Sequence, residues 1–379
     1  MLKTGLKTIL VLCTVMLTAA SAVFAQTTVN YTGYLVKDDN AFKNREAYDE
    51  WINNSSLLLG HQYAGESYRF QGFYSVNFLR YNNNSDLSNY RHMAGFSGEV
   101  KNYFENDYTL DFSGILKFNQ YKEQYNYYNA NGYDINISLK NESSLTENHS
   151  FGLSMSQERY DEFTDIDNNS YRLWGKYQQF FRSRISLTGE ASFAVKKYVN
   201  QSTIEYYGYY RYSEEPILSS MISLSGTVGK SITPTLGINM EVGGKRFAAD
   251  PIQVYSNGIY YFTENDLYDD PFSYQDHYIS FNLTKQFAVG FQSKIGVKFQ
   301  SKDYAGTPAL DDNGDLIGET RADSRREYSL LTTKKFTTGV KYPDAVTVFL
   351  NYMYRDNPSN DPYYNFNDNV VLVGFSVGM

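Results

Sequence analysis

The stretch FQSKIGVKFQSK, residues 291–302, sorts its side chains by parity. Phe291, Ser293, Ile295, Val297 and Phe299 fall on one side; Gln292, Lys294, Gly296, Lys298, Gln300 and Lys302 fall on the other. A period of two is that of an extended strand, whose successive side chains point to opposite faces. Every lysine keeps one register. A strand that lies against lipid demands this, because a basic residue on the lipid side near mid-membrane costs roughly 2–4 kcal/mol.

The pattern repeats along the chain. Ile185, Leu187, Gly189, Ala191, Phe193 and Val195 alternate with Ser186, Thr188, Glu190, Ser192, Ala194 and Lys196. Tyr133, Ile135, Ile137 and Leu139 alternate with Asp134, Asn136, Ser138 and Lys140. Val346, Val348, Leu350, Tyr352 and Tyr354 alternate less cleanly with Thr347, Phe349, Asn351 and Met353. A soluble sandwich strand also alternates. A long succession of such segments, with almost nothing helical between them, points instead to strands of about 9–11 residues that cross a bilayer.

The expected strands are 28–36, 54–63, 68–81, 90–101, 108–120, 132–141, 149–158, 170–179, 184–196, 217–230, 235–246, 277–286, 290–302, 326–336, 345–355 and 369–379. Their connections mostly alternate short and long, with 37–53, 197–216, 247–276 and 303–325 the longest. The first and last connections are both long, which puts both chain ends at the short-turn rim. The expected fold is an all-β, antiparallel up-and-down transmembrane barrel of about 16 strands. Fourteen is the alternative, should the first strand, with Val29, Tyr31, Gly33 and Leu35 on one face, not form. Residues 41–52, with Ala41, Phe42, Tyr48, Trp51 and Ile52, are read as a short helix or an irregular cap in the first long loop.

Residues 1–25 read as a secretory signal peptide: Lys3 and Lys7, an apolar run Ile9–Ala20, then Val23 and Ala25 at the −3 and −1 positions before Gln26. The barrel would then occupy 26–379. The single cysteine, Cys13, lies in that leader, so residues 26–379 have no disulfide, thiolate metal site or haem-attachment motif. The 37 Tyr and 25 Phe beside only 8 Pro exclude a disordered chain. A net charge of −8 speaks against a nucleic-acid partner.

Chemistry is sparse. None of the four histidines, His61, His92, His149 and His277, has a serine two residues on, and His277 beside Asp276 is the one pair near the external rim. Asp311, Asp312, Asn313, Gly314 and Asp315 fail the EF-hand spacing, since Gly falls at position four and Ala322 at position twelve. A hairpin turn on Asn313-Gly314, both tolerant of positive φ, accounts for them better. No cofactor, metal site or enzymatic activity is expected.

The register places Lys117, Lys140, Arg172, Lys176, Lys245, Lys294, Lys298 and Lys302 inside, with Asp111, Asp134, Glu190 and Glu241. Ten of these are the candidate pore-lining residues: Lys117, Lys140, Arg172, Lys176, Glu190, Glu241, Lys245, Lys294, Lys298 and Lys302. The expected interior is basic on balance and the mouth acidic and rich in tyrosine. Segment 247–276 holds Asp250, Glu264, Asp266, Asp269, Asp270 and Asp276. Segment 197–216 holds Tyr206, Tyr207, Tyr209, Tyr210 and Tyr212. The longest loop, 247–276, is expected to fold inward as a constriction.

The terminal stretch Val371, Val373, Phe375, Val377, Met379 resembles the C-terminal assembly signal of bacterial outer-membrane proteins, with Met379 where an aromatic residue is usual. The Tyr- and Asn-rich loops resemble those of uncharacterised barrels of Bacteroidota type. The resemblance implies a Gram-negative outer-membrane location, contact with lipid and lipopolysaccharide, and handling by the barrel-assembly machinery. The function implied is porin-like passage of small hydrophilic solutes. A non-conducting binding or scaffold barrel and a barrel hydrolase are the alternatives.

Overall fold

The computed structural model describes residues 25–378 except 42, 44, 104–107, 142–143, 145, 163, 165–166, 200–217, 249–270, 340–342 and 344. The proposed leader, except its last residue Ala25, lies outside the described residues. So do Tyr206, Tyr207, Tyr209, Tyr210 and Tyr212 of 197–216 and most of the acidic residues of 247–276.

Sixteen strands run in chain order: β1 (Ala25–Asp38), β2 (Glu50–Ala64), β3 (Tyr68–Tyr81), β4 (Asn89–Val100), β5 (Tyr108–Tyr121), β6 (Ala130–Asn141), β7 (Glu147–Tyr160), β8 (Asn168–Phe180), β9 (Ile185–Tyr198), β10 (Leu218–Thr233), β11 (Leu236–Phe247), β12 (Gln275–Ala288), β13 (Phe291–Leu310), β14 (Leu316–Thr337), β15 (Ala345–Asn357) and β16 (Phe366–Gly378). Each pairs antiparallel with its chain neighbours, and β1 pairs with β16 from Asn30↔Gly378 to Asp38↔Val370, so the sheet closes. Closure leaves no unpaired edge, the condition for a sheet in lipid. The expected 16-strand antiparallel barrel is therefore the fold.

The outer face carries the apolar members of each alternation. Ile295 (51 % exposed), Leu173 (60 %) and Leu224 (62 %) have no protein neighbours to cover them, as lipid-facing residues should not. On this face Tyr31 and Phe375 meet across the β1–β16 seam with ring centroids 5.8 Å apart. Short connections are tight: at 289–290 Gly290 has φ +72°, and an added Cβ would lie 2.5 Å from the Lys335 carbonyl oxygen, so only glycine fits.

Two expectations are corrected. Segment 303–325 is not a loop. β13 and β14 continue beyond their neighbours as a projecting hairpin, paired through Tyr304↔Arg321 and Leu310↔Leu316. Its tip is the turn 311–315, in which Gly314 alone takes positive φ (+85°) and Asn313 does not. The Asp311 carboxylate accepts from the Asp315 and Asn313 backbone N–H groups, which hold it below the usual carboxylate range. The second correction concerns 41–52, where the short helix gives way to the irregular-cap alternative. The segment contains no helix among its described residues; Trp51 and Ile52 already belong to β2, opposite Lys37 and Val36.

Tight packing is concentrated at the long-loop rim. Leu79, Tyr81 and Leu87 form a buried cluster with Ile52 and Tyr125 against it. Beside it the buried Glu50 carboxylate accepts from the backbone N–H groups of Trp51, Asn82, Asn83 and Asn84 and from Asn84 Nδ2, at 2.8–3.0 Å. A barrel has no central core; the external connections supply one for themselves.

Candidate lumen site

Paired residues of neighbouring strands share a face, so one residue's side fixes the side of all. Lys298 is opposite Ser280, Ser280 opposite Glu241, Glu241 opposite Thr227, and Thr227 opposite Thr188. Thr188 shares parity with Glu190, which is opposite Lys176. Continued through β7 to β1 and back through β16 to β14, the ladder returns to Glu327 opposite Lys298 on the same face. The ladder therefore puts all ten candidate residues, and Asp111 and Asp134, on one face, opposite the exposed apolar band. That face is the interior.

The structure brings most of them into pairs. Arg172 Nη2 lies 2.6 Å from Glu190 Oε1, and Lys117 pairs with Asp134. The Tyr278 hydroxyl donates to Glu241 at 2.5 Å, while the Lys298 ammonium sits 4.7 Å from the Tyr278 ring centre. Lys245 and Lys302 both address the Tyr274 ring, at 3.4 and 4.2 Å. Lys176 and Lys140 stand on the wall opposite Glu190 and Ser150, and Lys294 opposite Thr284.

The interior is more evenly charged than the sequence analysis expects. The same register adds Arg69, Arg91, Lys196, Arg321, Arg325, Lys335 and Arg355, but also Asp38, Glu50, Glu99, Glu158, Asp276, Asp323, Glu327 and Asp368. Near the long-loop rim a cavity of about 450 Å³ is lined by Arg91, Lys117, Asp134, Glu158 and Lys196, with Phe272 against it.

Phe272 belongs to the described end of segment 247–276. Its carbonyl accepts from Ser219 Oγ on β10 at 3.4 Å, and Lys196 of β9 lies 5.9 Å from its ring centre. Tyr274 is buried beside Tyr304, centroids 5.1 Å apart. Pro271–Tyr274 thus lies along the inner wall; residues 249–270 are outside the described residues. The aromatic series continues into the hairpin, where Arg321 is held between Tyr304 and Tyr364 at 3.9 and 3.4 Å and is paired with Asp323. The sequence alone does not single out Arg321 and Asp323, because 303–325 reads as a loop. Nor does it single out Tyr278, although its parity with Asp276 and Ser280 is legible.

All four histidines lie on the outer face, near a rim. His61, His92 and His149 are within hydrogen-bond reach of Thr27 (3.1 Å), Tyr74 (2.7 Å) and Tyr108 (3.2 Å). His277 and Asp276, adjacent in sequence, point to opposite sides of β12.

This geometry has solved counterparts. The chain is similar to OccK5 (OpdH) of Pseudomonas aeruginosa (TM-score 0.52, 10 % identity, 94 % of this chain and 98 % of that one). It is similar to OccAB1 of Acinetobacter baumannii (0.53, 9 %, 94 % and 97 %) and to OprD of P. aeruginosa (0.51, 10 %, 94 % and 95 %). The fold is that of an outer-membrane porin barrel. A family model described as surface lipoprotein assembly modifier matches residues 246–377, from the end of β11 into β16. No curated protein sequence matches the chain.

Proposed function

We propose that the protein is a porin-like channel of the bacterial outer membrane, through which small hydrophilic solutes diffuse passively. The supporting observation is the closed 16-strand wall, whose inner face carries polar or charged side chains in every strand, with apolar ones such as Ile115 and Leu331 among them. Apolar side chains outside and ionisable ones inside are the arrangement of a wet lumen in lipid, and about 16 strands leave room for water between the walls. The ten candidate residues would line this path. The terminal strand β16, with Val371, Val373, Phe375 and Val377 outward, would be presented to the barrel-assembly machinery.

The test is planar-bilayer conductance of the purified, refolded full-length mature protein under a salt gradient. Stable unitary steps with a small reversal potential are expected, because paired wall charges leave weak net selectivity. A heat-modifiable barrel that inserts and never conducts would overturn the channel reading.

In that case a second reading comes forward: a barrel that handles surface lipoproteins, the role in the description of the family model matched over 246–377. It is favoured by the pairing of Lys117 with Asp134 and Arg172 with Glu190, and by Pro271–Tyr274 lying inside. Tyr274→Ala separates the two readings. It removes the ring that Lys245 and Lys302 share, so a channel should gain conductance, and deletion of 248–273 should raise it further. Unchanged conductance in both variants would count against this segment as a constriction.

A further inference from the structure

We propose that Asp38, Asp39 and Asp368 bind one divalent cation of the calcium class at the external end of the β1–β16 seam. One carboxylate oxygen of each lies within 4.8 Å of those of the other two. Oxygens held about 2.4 Å from a Ca²⁺ ion are at most about 4.8 Å apart, so the set fits around one ion.

This is not a solvated acidic patch. Asp38 is 7 % exposed and Asp368 is fully buried. The decisive atom is Asp368 Oδ1, which is buried and has no hydrogen-bond partner. A buried carboxylate oxygen without a donor is unfavourable and calls for a positive partner. Its companion Oδ2 is engaged by Lys43 Nζ at 2.8 Å and by Arg355 Nη1 at 3.4 Å. Lys43 also donates to Asp38 Oδ2 at 2.7 Å and to the Asn40 carbonyl at 2.9 Å, so it has no proton left for Oδ1.

The charge count agrees. Asp38, Asp39, Asp368 and Glu327, which lies 3.6 Å from Arg355, face two cations, Lys43 and Arg355. The cluster therefore holds more carboxyl groups than cations. Hydrogen bonds hold the carboxylates in place: the Asn40 N–H donates to Asp38 Oδ1 at 2.9 Å, and Asn369 donates to Asp39 through its backbone N–H at 2.6 Å and Nδ2 at 2.7 Å. Hard oxygen donors in an irregular set suit Ca²⁺ better than Mg²⁺, which demands near-ideal octahedral geometry. Two other acidic features are already satisfied by N–H donors and do not compete: Glu50 by its five bonds, and Asp311 by its turn.

The experiment uses full-length mature protein in detergent after chelator treatment. Titration with CaCl₂ is followed by calorimetry, and with Tb³⁺ by tyrosine-sensitised luminescence that Ca²⁺ competes away. One ion per chain is expected, with a higher melting temperature in Ca²⁺. Asp39→Asn and Asp368→Asn should each weaken binding on the order of tenfold or more, since affinity follows ligand charge. Asp315→Asn, at the exposed hairpin tip, should bind as the unaltered protein does. Heat-modifiable mobility reports folding. If Asp368→Asn does not fold, the half-buried Asp39→Asn decides. No saturable binding by the unaltered protein, or unchanged affinity in Asp39→Asn, overturns the proposal.

Discussion

Replacing Ile295 by arginine is expected to lower the unfolding free energy by about 2–4 kcal/mol, the cost of a cation facing hydrocarbon near mid-membrane. Ile295 stands in the membrane-crossing part of β13, 51 % exposed on the outer face and flanked by the outward Leu283 and Leu330. Its neighbour Lys294 faces the interior, where water is available to an ionised or polar group. Lys294→Gln should therefore change stability by about 0.5 kcal/mol or less. The measurement is reversible denaturant unfolding in phospholipid vesicles. Because a one-residue slip exchanges the two faces of a strand, the contrast between adjacent positions tests the register itself. Equal effects at 294 and 295 would mean that β13 does not face lipid as described.

The second large effect is expected at the buried pair of the projecting hairpin. Arg321 and Asp323 side chains are 6 % and 0 % exposed, with Nη2–Oδ2 at 2.5 Å and Nε–Oδ1 at 3.0 Å. Asn357 Nδ2 also donates to Asp323 at 3.3 Å, tying β14 to β15. Asp323→Ala leaves the guanidinium buried between two tyrosine rings without its counter-ion, at a cost of about 3–5 kcal/mol. Part of the cation–π attraction of Tyr304 and Tyr364 remains. Since the hairpin extends beyond the neighbouring strands, the loss should be local. Hydrogen exchange across 303–325 should accelerate while the transmembrane strands stay protected. The paired replacement Arg321→Met with Asp323→Leu should recover most of the protection, because no charge is then stranded. If Asp323→Ala exchanged no faster, the pair would not hold the hairpin.

Much of the fold was legible because lipid imposes a rule on every strand. Apolar residues such as Ile135, Leu173 and Ile295 must alternate with polar ones such as Asp134, Arg172 and Lys294, and each segment reports its own faces without knowledge of its neighbours. The hairpin 303–325 was not legible for the same reason reversed. It stands outside lipid, so Tyr304, Arg321 and Asp323 answer to one another and to Tyr364, and no alternation is enforced. The helix allowed for 41–52, beside an irregular cap, failed likewise: Trp51 and Ile52 obey the pairing of β2 with its chain neighbour β1.

The candidate interior divides in the same way. Parity placed Lys298 and Glu241 on one face from sequence alone. That Tyr278 stands between them, that Lys245 and Lys302 share Tyr274, and that Phe272 reaches the wall at Lys196 are facts about neighbouring strands and an inward-turning segment. The Asp38, Asp39 and Asp368 cluster joins the two ends of the chain and could not be read from either. The sequence by itself determined which side chains meet lipid and which do not, because a two-residue period is a local property of an extended chain. Only the tertiary structure decided which charges are neutralised and which oxygen is left without a partner, because those depend on side chains of different strands and connections meeting once the sheet has paired and closed.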